Sequence, residues 1–195
     1  MTVPARSPIE TTAETDPADL VVLLDEQRRP IGTAPRAAVH HHTTPLHLAF
    51  SCYVFDAAGR LLMHRRALGK RTWPGVWTNS CCGHPRPGET PAAAARRRVT
   101  EELGLVPHDL RPVLPDFAYE ATMPDGVREN EACPVFTARA LGVPAPDPAE
   151  VAEWRWVPWP EVVAVARTSP WLISPWAALQ VGELAELFGD ERIPA

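Results

Sequence analysis

Lysine is almost missing from this chain of 195 residues, because Lys70 is the only one and arginine carries the rest of the basic charge. The formal net charge of −5 lacks the basic excess that non-specific nucleic-acid binding requires, so nucleic acid is not expected as a partner. No apolar run approaches the roughly 18 residues of a membrane-spanning helix, and no secretory signal pattern opens the chain. We therefore expect a cytoplasmic protein without a membrane segment.

Cysteine is sparse as well, and none of the four, Cys52, Cys81, Cys82 and Cys133, belongs to a CxxC pair. Disulfides are not expected in a reducing compartment, and the chain is long enough to build a core without them. Proline is abundant by contrast, with 23 residues, three of them in the first 17 positions and three in the linker 144–148. We expect a disordered tail over residues 1–18 and a single domain over residues 19–190.

Apolar runs and turn residues predict a mixture of strands and helices. Strands are predicted at residues 20–24, 48–55, 61–65, 110–120, 132–141 and 151–157. Thr90 and Pro91 begin a helix that ends at Leu103, before Gly104, and shorter helices are predicted at 160–167 and 176–188. Regular βαβ alternation is absent, so the expected fold is α+β, with a mixed sheet sandwiched by helices. Trp154, Trp156 and Trp171 are predicted to be core residues.

The stretch from Thr78 to Pro85 combines a thiol and an imidazole two residues apart, at Cys82 and His84. Gly83 between them allows a tight turn. Reactive cysteines typically have an imidazole, or a metal bound by that imidazole, close to the thiol. The plainer interpretation is a small buried filler, which is what we expect of Cys52 and Cys81.

A second pattern begins at Gly83. Five residues separate it from Glu89, and seven more lead to the segment 97–105, which reads RRVTEELGL. This spacing resembles the Nudix box at every position except Arg98, where the pattern has Glu. Carboxylates on one helical turn, Glu101 and Glu102, suit Mg²⁺, which keeps waters and substrate phosphates as ligands. The plainer interpretation is a solvated helix face.

Three imidazoles and two carboxylates are candidate metal ligands: His40, His47, His84, Glu129 and Glu131. Glu129 and Glu131 lie two apart in an extended stretch, which places both on one face. This ligand set suits Zn²⁺, Mn²⁺ or Fe²⁺, although surface histidines and a solvated acidic pair remain the plainer interpretation. Five cations are available for a diphosphate: Arg36, Arg66, Lys70, Arg71 and Arg98.

Several short stretches together resemble the metal-dependent, Nudix-fold isopentenyl-diphosphate isomerases of type I. The resemblance covers about residues 20–188 and lies in residues 46–50, 65–68, 73–80, 82–85, 129–136 and 174–176. It implies that isopentenyl diphosphate and dimethylallyl diphosphate are interconverted through a carbocation. A small diphosphate is thus the expected partner, and the protein itself is expected to be a monomer or weak dimer.

The resemblance also implies roles for individual residues. Cys82 and Glu131 correspond to the acid/base pair and Tyr119 to its supporting hydroxyl, while Trp176 corresponds to the aromatic ring beside the carbocation. Arg36, Arg66, Lys70 and Arg98 correspond to diphosphate-side cations.

Two metal sites follow from the same resemblance. A first ion, Mn²⁺ or Zn²⁺, has five corresponding ligands: His40, His47, His84, Glu129 and Glu131. A second ion, Mg²⁺, corresponds to Glu102 together with the substrate diphosphate. Alignment through Leu46-His47 selects His40 from the run His40-His41-His42, and the Cys-Gly-His order selects Cys82 over Cys81.

Two alternatives stay open at this stage. One is a Nudix hydrolase of nucleoside diphosphate-type substrates, which needs no cysteine and normally carries Glu where this chain has Arg98. The other is a binding module with a decayed site. Product analysis separates the first from an isomerase, and any turnover excludes the second.

Overall fold

A computed structural model describes Asp16 and residues 19–191. The expected disordered tail, residues 1–18, lies outside the described residues except for Asp16. The described part contains twelve strands: β1 (Leu20–Leu24), β2 (Pro30–Pro35), β3 (His47–Leu48), β4 (Phe50–Phe55), β5 (Arg60–Arg66), β6 (Trp77–Thr78), β7 (Cys81–Gly83), β8 (His108–Leu114), β9 (Ala118–Thr122), β10 (Arg128–Ala132), β11 (Val135–Arg139) and β12 (Val151–Pro158). It also contains α1 (Pro91–Leu103), α2 (Trp159–Thr168), α3 (Pro175–Phe188) and a 3₁₀ turn (Pro170–Leu172).

The strands form two mixed sheets that meet at one junction. The first has the order β2-β1-β3-β10-β9, and the second has the order β12-β5-β4-β11-β8, with β6 beside β5 and β7 beside β4. Strand β4 follows β3 almost directly in the chain, and β11 likewise follows β10. Strand β3 pairs in parallel with β10 in the first sheet, and β4 pairs in parallel with β11 in the second. Side chains at the ends of these four strands are therefore brought together where the sheets meet.

Helices cover both faces of the second sheet. Strand β4 is buried throughout, and its side chains alternate between the two faces, as expected for a strand in the middle of a sheet. Phe50, Cys52 and Val54 pack with helix α1 in one hydrophobic cluster. Tyr53 and Phe55 pack with α2 and α3 in the other. The α+β expectation, a mixed sheet sandwiched by helices in a single domain, is confirmed.

Helix α1 begins and ends where the sequence predicts. The Thr90 hydroxyl accepts a hydrogen bond from the Ala93 amide at 3.2 Å, and Gly104 takes the left-handed conformation, with φ of 64°. A left-handed residue directly after a helix closes its last turn and costs little strain when it is glycine. These caps fix the register of the helix and hence the positions of its charged side chains near the junction.

The structure corrects several sequence-based boundaries. The single strand predicted at 110–120 is two strands, β8 and β9, because Pro115 has no amide hydrogen and the chain turns there, with the Phe117 amide bonded to the Leu114 carbonyl. The strand predicted at 132–141 is the shorter β11, and β2 was not predicted.

The three tryptophans predicted as core residues have different environments. Trp171 is 78% exposed, so its core assignment was wrong, since it lies in the 3₁₀ turn and faces outward. Trp154 and Trp156 are partly buried against the cluster beneath α1. No helix within the described ranges combines the length and the apolar character that crossing a membrane would require.

Candidate active site

Three imidazoles and one carboxylate converge at the junction of the two sheets. His47 in β3 pairs in parallel with Glu131 in β10, while His40 precedes β3 and His84 follows β7. Glu131 Oε1 lies 3.1 Å from His84 Nε2, 3.4 Å from His47 Nε2 and 3.8 Å from His40 Nε2. All four ligand atoms lie within 4.8 Å of one another. The four side chains therefore form a compact cluster that could hold a metal ion.

The protonation of this cluster is set by burial and by Glu131. Burial opposes the charged form of Glu131, but its hydrogen bonds with the imidazoles outweigh burial and hold its pKa well below the usual value. Burial lowers the pKa of His84 to about 4, so this ring is neutral near pH 7. Burial acts in the same direction on His47, but the hydrogen bond and charge of Glu131 prevail and raise its pKa.

The donor chemistry of the cluster fits a divalent cation. Imidazole nitrogen and carboxylate oxygen are ligands for Zn²⁺ and Mn²⁺, and His40 Nε2 is buried without a hydrogen-bond partner among the described residues. A cation would provide a partner for His40 Nε2 and would offset the negative charge of Glu131. Binding would also displace the proton that Glu131 favours on His47.

Glu129 lies beside this cluster and is not one of its four members. The Tyr119 hydroxyl donates to Glu129 Oε2 at 2.8 Å and lies 3.0 Å from Glu131 Oε2, so it joins the two carboxylates. Burial and the neighbouring charge of Glu131 raise the pKa of Glu129. A role of Glu129 as fifth ligand stays a prediction, and so does the supporting role of Tyr119, whose hydroxyl contacts Glu131.

Cys82 in β7 lines the central cavity and makes polar contacts on two sides. Its thiol donates to Asn79 Oδ1 at 3.1 Å, and its sulfur lies 3.3 Å from Ser51 Oγ. Burial raises the pKa of Cys82 to about 12, so the thiol is protonated at neutral pH. Cys81, in contrast, is fully buried in the cluster beneath α1. Of the two neighbouring cysteines, only Cys82 can meet a molecule in the cavity.

Asn79 connects Cys82 to Trp176. Its Oδ1 also accepts hydrogen bonds from the Trp176 indole at 3.0 Å and from the Thr78 hydroxyl at 2.9 Å. Its amide nitrogen contacts the backbone carbonyls of Cys52 and Cys81, which fixes the direction of Oδ1. The buried amide thus holds the thiol and the indole at one edge of the cavity.

Trp176 lies in the first turn of α3, which Ser174 caps. The Arg66 guanidinium carbon lies 5.5 Å from the centroid of the indole ring, and the Tyr119 ring lies 5.9 Å away. The ring is therefore placed to contact a cation, as the π face of tryptophan favours.

The predicted diphosphate-side cations surround one mouth of the cavity, and three of them have carboxylate partners. Lys70 pairs closely with Glu150, and Arg98 lies 3.0 Å from Glu150 Oε1. Arg36 is farther out and pairs with Asp19 at 3.0 Å. Arg66, Lys70 and Arg98 thus form the inner group, and Arg36 lies near the rim.

Glu102 is buried in α1, just behind this mouth. Arg98 Nη2 lies 2.5 Å from Glu102 Oε1, yet that oxygen has no well-directed hydrogen bond among the described residues. Burial raises the pKa of Glu102, with Arg98 acting in the opposite direction. A buried carboxylate oxygen without a well-directed hydrogen bond, close to the cations that line the cavity, fits a hard cation such as Mg²⁺.

The cavity that these residues surround has a volume of about 740 Å³. His47 and Glu102 do not line it, whereas the other predicted site residues do. Those that line it are Arg36, His40, Arg66, Lys70, Arg71, Cys82, His84, Arg98, Glu101, Tyr119, Glu129, Glu131 and Trp176.

Sequence reasoning missed four residues that hold the site in place. Glu150 pairs with two of the cations, and Asn79 contacts Cys82 and Trp176. The Gln180 amide donates to Ser51 Oγ at 2.9 Å, which supports the serine beside Cys82. Asn79 lies inside the conspicuous Thr78 to Pro85 stretch, but no sequence signal marks Ser51, Gln180 or Glu150.

Solved structures of other proteins share the fold of this chain. A crystal structure of DR0079 from Deinococcus radiodurans has a TM-score of 0.64 at 20% identity, covering 84% of this chain and 98% of that one. The MutT protein from Methanosarcina mazei Go1 has a TM-score of 0.56 at 18% identity, covering 71% and 92%. At these identities the likeness shows the fold. The family model described as the NUDIX domain matches residues 45–177, and the chain belongs to the Nudix family.

Closer relatives carry a more specific name. Isopentenyl-diphosphate Delta-isomerase of Frankia alni is 66% identical over 166 residues, covering 85% of this chain and 86% of that protein. The isomerase of the same name from Mycolicibacterium vanbaalenii is 62% identical over 168 residues, covering 86% and 92%. Within the Nudix family, the chain belongs to the isopentenyl-diphosphate Delta-isomerases.

Proposed function

We propose that this protein interconverts isopentenyl diphosphate and dimethylallyl diphosphate. The observation that carries the proposal is the convergence of Cys82, Tyr119, Glu131 and Trp176 on one cavity in a chain of this family. The reaction moves a double bond by one carbon and breaks no bond to phosphate. It therefore requires proton donors and acceptors at the carbon skeleton, and a diphosphate site that only anchors the substrate.

The proton balance of this reaction needs two groups. One proton adds to the terminal CH₂ of isopentenyl diphosphate and leaves a tertiary cation, and a different proton then leaves the carbon next to the CH₂O group. Cys82 and Glu131 are the proposed pair, and both face the cavity. At the end of the forward reaction the donor has lost a proton and the acceptor has gained one. The reverse reaction therefore uses the same two residues with their roles exchanged.

Tyr119 is proposed to support Glu131. Its hydroxyl bridges Glu129 and Glu131 and keeps the two carboxylates in a fixed relation. A hydroxyl has a single hydrogen, so it donates to one carboxylate at a time. When one of the two carboxylates takes up a proton, the Tyr119 hydroxyl can turn and donate to the other.

Trp176 is proposed to face the positive charge that develops on the substrate. The arrangement of its ring beside Arg66 supports this role, and so does the burial of the indole, because a buried wall excludes water from the cation. Arg66, Lys70 and Arg98 are proposed to hold the diphosphate at the mouth, with Arg36 at the rim.

Two metal sites are part of the proposal. The residues His40, His47, His84 and Glu131, with Glu129 as a fifth ligand, would hold Mn²⁺ or Zn²⁺, and such an ion would fix Glu131 and modulate its basicity. Glu102 would hold Mg²⁺ together with the diphosphate, where the ion would neutralise phosphate charge.

The direct test is product analysis. The purified protein, incubated with isopentenyl diphosphate and Mg²⁺, should form dimethylallyl diphosphate with no release of inorganic phosphate. Phosphate or nucleotide release from nucleoside diphosphate-type substrates, without isomerisation, would instead identify a Nudix hydrolase. Arg98 occupies a position at which the Nudix box has Glu, and it pairs with Glu102. The replacement of that Glu by Arg favours the isomerase over a hydrolase.

A further inference from the structure

Glu150 is a charged residue at the diphosphate mouth for which the proposed reaction has no chemical use. It directly precedes β12, in a turn where its amide and that of Val151 both bond to the Asp147 carbonyl. The Ala67 amide bonds to the Glu150 carbonyl at 2.9 Å, directly after Arg66 at the end of β5. The backbone of Glu150 is therefore attached to the strand that carries one of the three inner cations.

The Glu150 carboxylate divides its two oxygens between the other two inner cations. Oε2 contacts Lys70 Nζ, and Oε1 lies 3.0 Å from Arg98 Nη2. Lys70 belongs to the loop after β5, and Arg98 belongs to α1. All three side chains are mostly buried and line the cavity, so solvent screens these contacts much less than contacts on the surface.

Arg98 has a competing partner. The same Nη2 atom lies 2.5 Å from Glu102 Oε1, so it lies between two carboxylates that both attract it. Glu150 gives Arg98 a second carboxylate partner, which weakens the hold of Arg98 on Glu102, and it engages Lys70 at the same time. Without the Glu150 charge, Arg98 would pair with Glu102 alone, and a cation arriving at Glu102 would have to displace a more tightly held guanidinium.

We propose that Glu150 is a positioning residue that holds Lys70 and Arg98 toward the diphosphate and keeps Glu102 available to a divalent cation. This inference rests on the proposed function in one respect, namely that the group bound by Lys70 and Arg98 is a diphosphate. It predicts a coupling between residue 150 and the cation requirement of diphosphate binding, since the two carboxylates compete for one guanidinium.

The test uses the full chain and inorganic diphosphate as the probe. Diphosphate binding is measured by calorimetry at a series of Mg²⁺ concentrations for the wild type, Glu150→Gln and Glu150→Asp. Glu150→Gln should raise the Mg²⁺ concentration needed for half-maximal binding by about tenfold, within the range typical of coupled sites. Glu150→Asp keeps the charge and should restore part of the loss. In turnover assays the defect should lie in KM and in the Mg²⁺ dependence more than in kcat.

Glu153→Gln is the matched control. Glu153 lies in β12, shortly after Glu150, and pairs with Arg65 at 2.7 Å, but neither Glu153 nor Arg65 lines the cavity. This variant removes the same charge and should leave the Mg²⁺ dependence of diphosphate binding at the wild-type value. Thermal unfolding of both variants shows whether either change acts through loss of folded protein.

An unchanged Mg²⁺ requirement in folded Glu150→Gln would overturn the inference, and so would an equal shift in Glu153→Gln. Failure of the wild type to isomerise, with the Glu150→Gln shift present, would refute the proposed function and support the inference. Normal isomerisation by the wild type, without a shift in the Mg²⁺ requirement of Glu150→Gln, would support the proposed function and overturn the inference. Absence of Mg²⁺-dependent diphosphate binding in the wild type would overturn both.

Discussion

Cys81 and Cys82 are neighbours in the chain, but their sulfur atoms have different surroundings. Cys81 packs in the core beneath α1, while Cys82 contacts Ser51 and Asn79 at the cavity wall. Successive strand residues point to opposite faces of a sheet, and this alternation in β7 separates them. The alternation of β7 therefore decides that Cys82 lines the cavity and that Cys81 packs in the core.

The first prediction at this scale compares the two cysteines. Cys82→Ala should lower turnover at least about a hundredfold, the scale of losing a general acid or base. Cys81→Ala should retain turnover and lose on the order of 1 kcal/mol of folding stability, because it removes one buried heavy atom. Isomerase assays and urea unfolding of both variants check this, and comparable activity in the two would refute the assignment.

A second residue-scale prediction concerns Glu131, which is proposed both as a ligand and as an acid/base group. Glu131→Gln keeps an oxygen that can bind a metal and removes the basic carboxylate. Turnover should fall at least about a hundredfold, while substrate binding persists in metal-replete protein. Turnover, substrate affinity and metal content are measured on one preparation. Near-normal turnover would leave Glu131 as a ligand only.

At the scale of elements, β5 carries a fully buried imidazole in the middle of the second sheet. His64 contacts the Ser80 carbonyl through Nδ1 at 3.0 Å. Burial, with the nearby charge of Arg66, lowers its pKa to about 3. The neutral ring is part of the packing that joins β5 to the segment carrying Cys82, so its protonation opposes folding.

The folding stability of the protein should therefore depend on pH through His64. The folded pKa lies below the usual value of 6.5, so the unfolded state takes up the proton first as pH falls. This contribution is complete above pH 6.5 and decreases by about 1.4 kcal/mol per pH unit between there and the folded pKa. Urea unfolding between pH 7 and 4, in chelator, should show a smaller slope for His64→Gln than for the wild type.

The exposed residue His108 supplies the control for this experiment. His108→Gln removes a histidine from β8 without removing a buried imidazole, so its pH slope should match that of the wild type. Equal slopes for the wild type and His64→Gln would show that His64 does not titrate differently in the folded protein.

At the scale of the whole molecule, the His/Glu cluster ties together segments from both sheets. His47 and Glu131 belong to the first sheet, and His84 follows β7 of the second. An ion held by all of them would bind the folded protein far better than the unfolded chain. Metal binding and global stability should therefore be linked.

Removing the ion should lower the melting temperature of the whole protein. Restoring Mn²⁺ or Zn²⁺ at about a hundredfold excess over the dissociation constant should add about 2.7 kcal/mol of stability. His47→Ala should lose both the bound metal and this increment. His42→Ala, at an exposed position of the same histidine run, should retain both. Metal analysis and thermal unfolding check the prediction, which fails if His47→Ala keeps the wild-type metal content.

The amino-acid sequence by itself determined the elements whose signals are local. Thr90, Pro91 and Gly104 specified the bounds of α1, because capping depends on residues within a few positions of the helix end. The Nudix-box spacing and the Cys-Gly-His order specified which residues to consider, since a motif records chemistry at fixed separations along the chain. The alternation of the β4 side chains between the two faces of the second sheet likewise follows from the period of a strand.

Only the tertiary structure decided the relations between distant segments. Arg98 meets Glu150 across 52 residues of sequence, and His47 in β3 pairs with Glu131 in β10 within the first sheet. Exposure of Trp171 follows from the direction of a short turn, which local apolarity does not encode. Hydrogen bonds and ion pairs act over a few ångströms in space. Their partners are therefore chosen by strand order and helix packing, which no local pattern records.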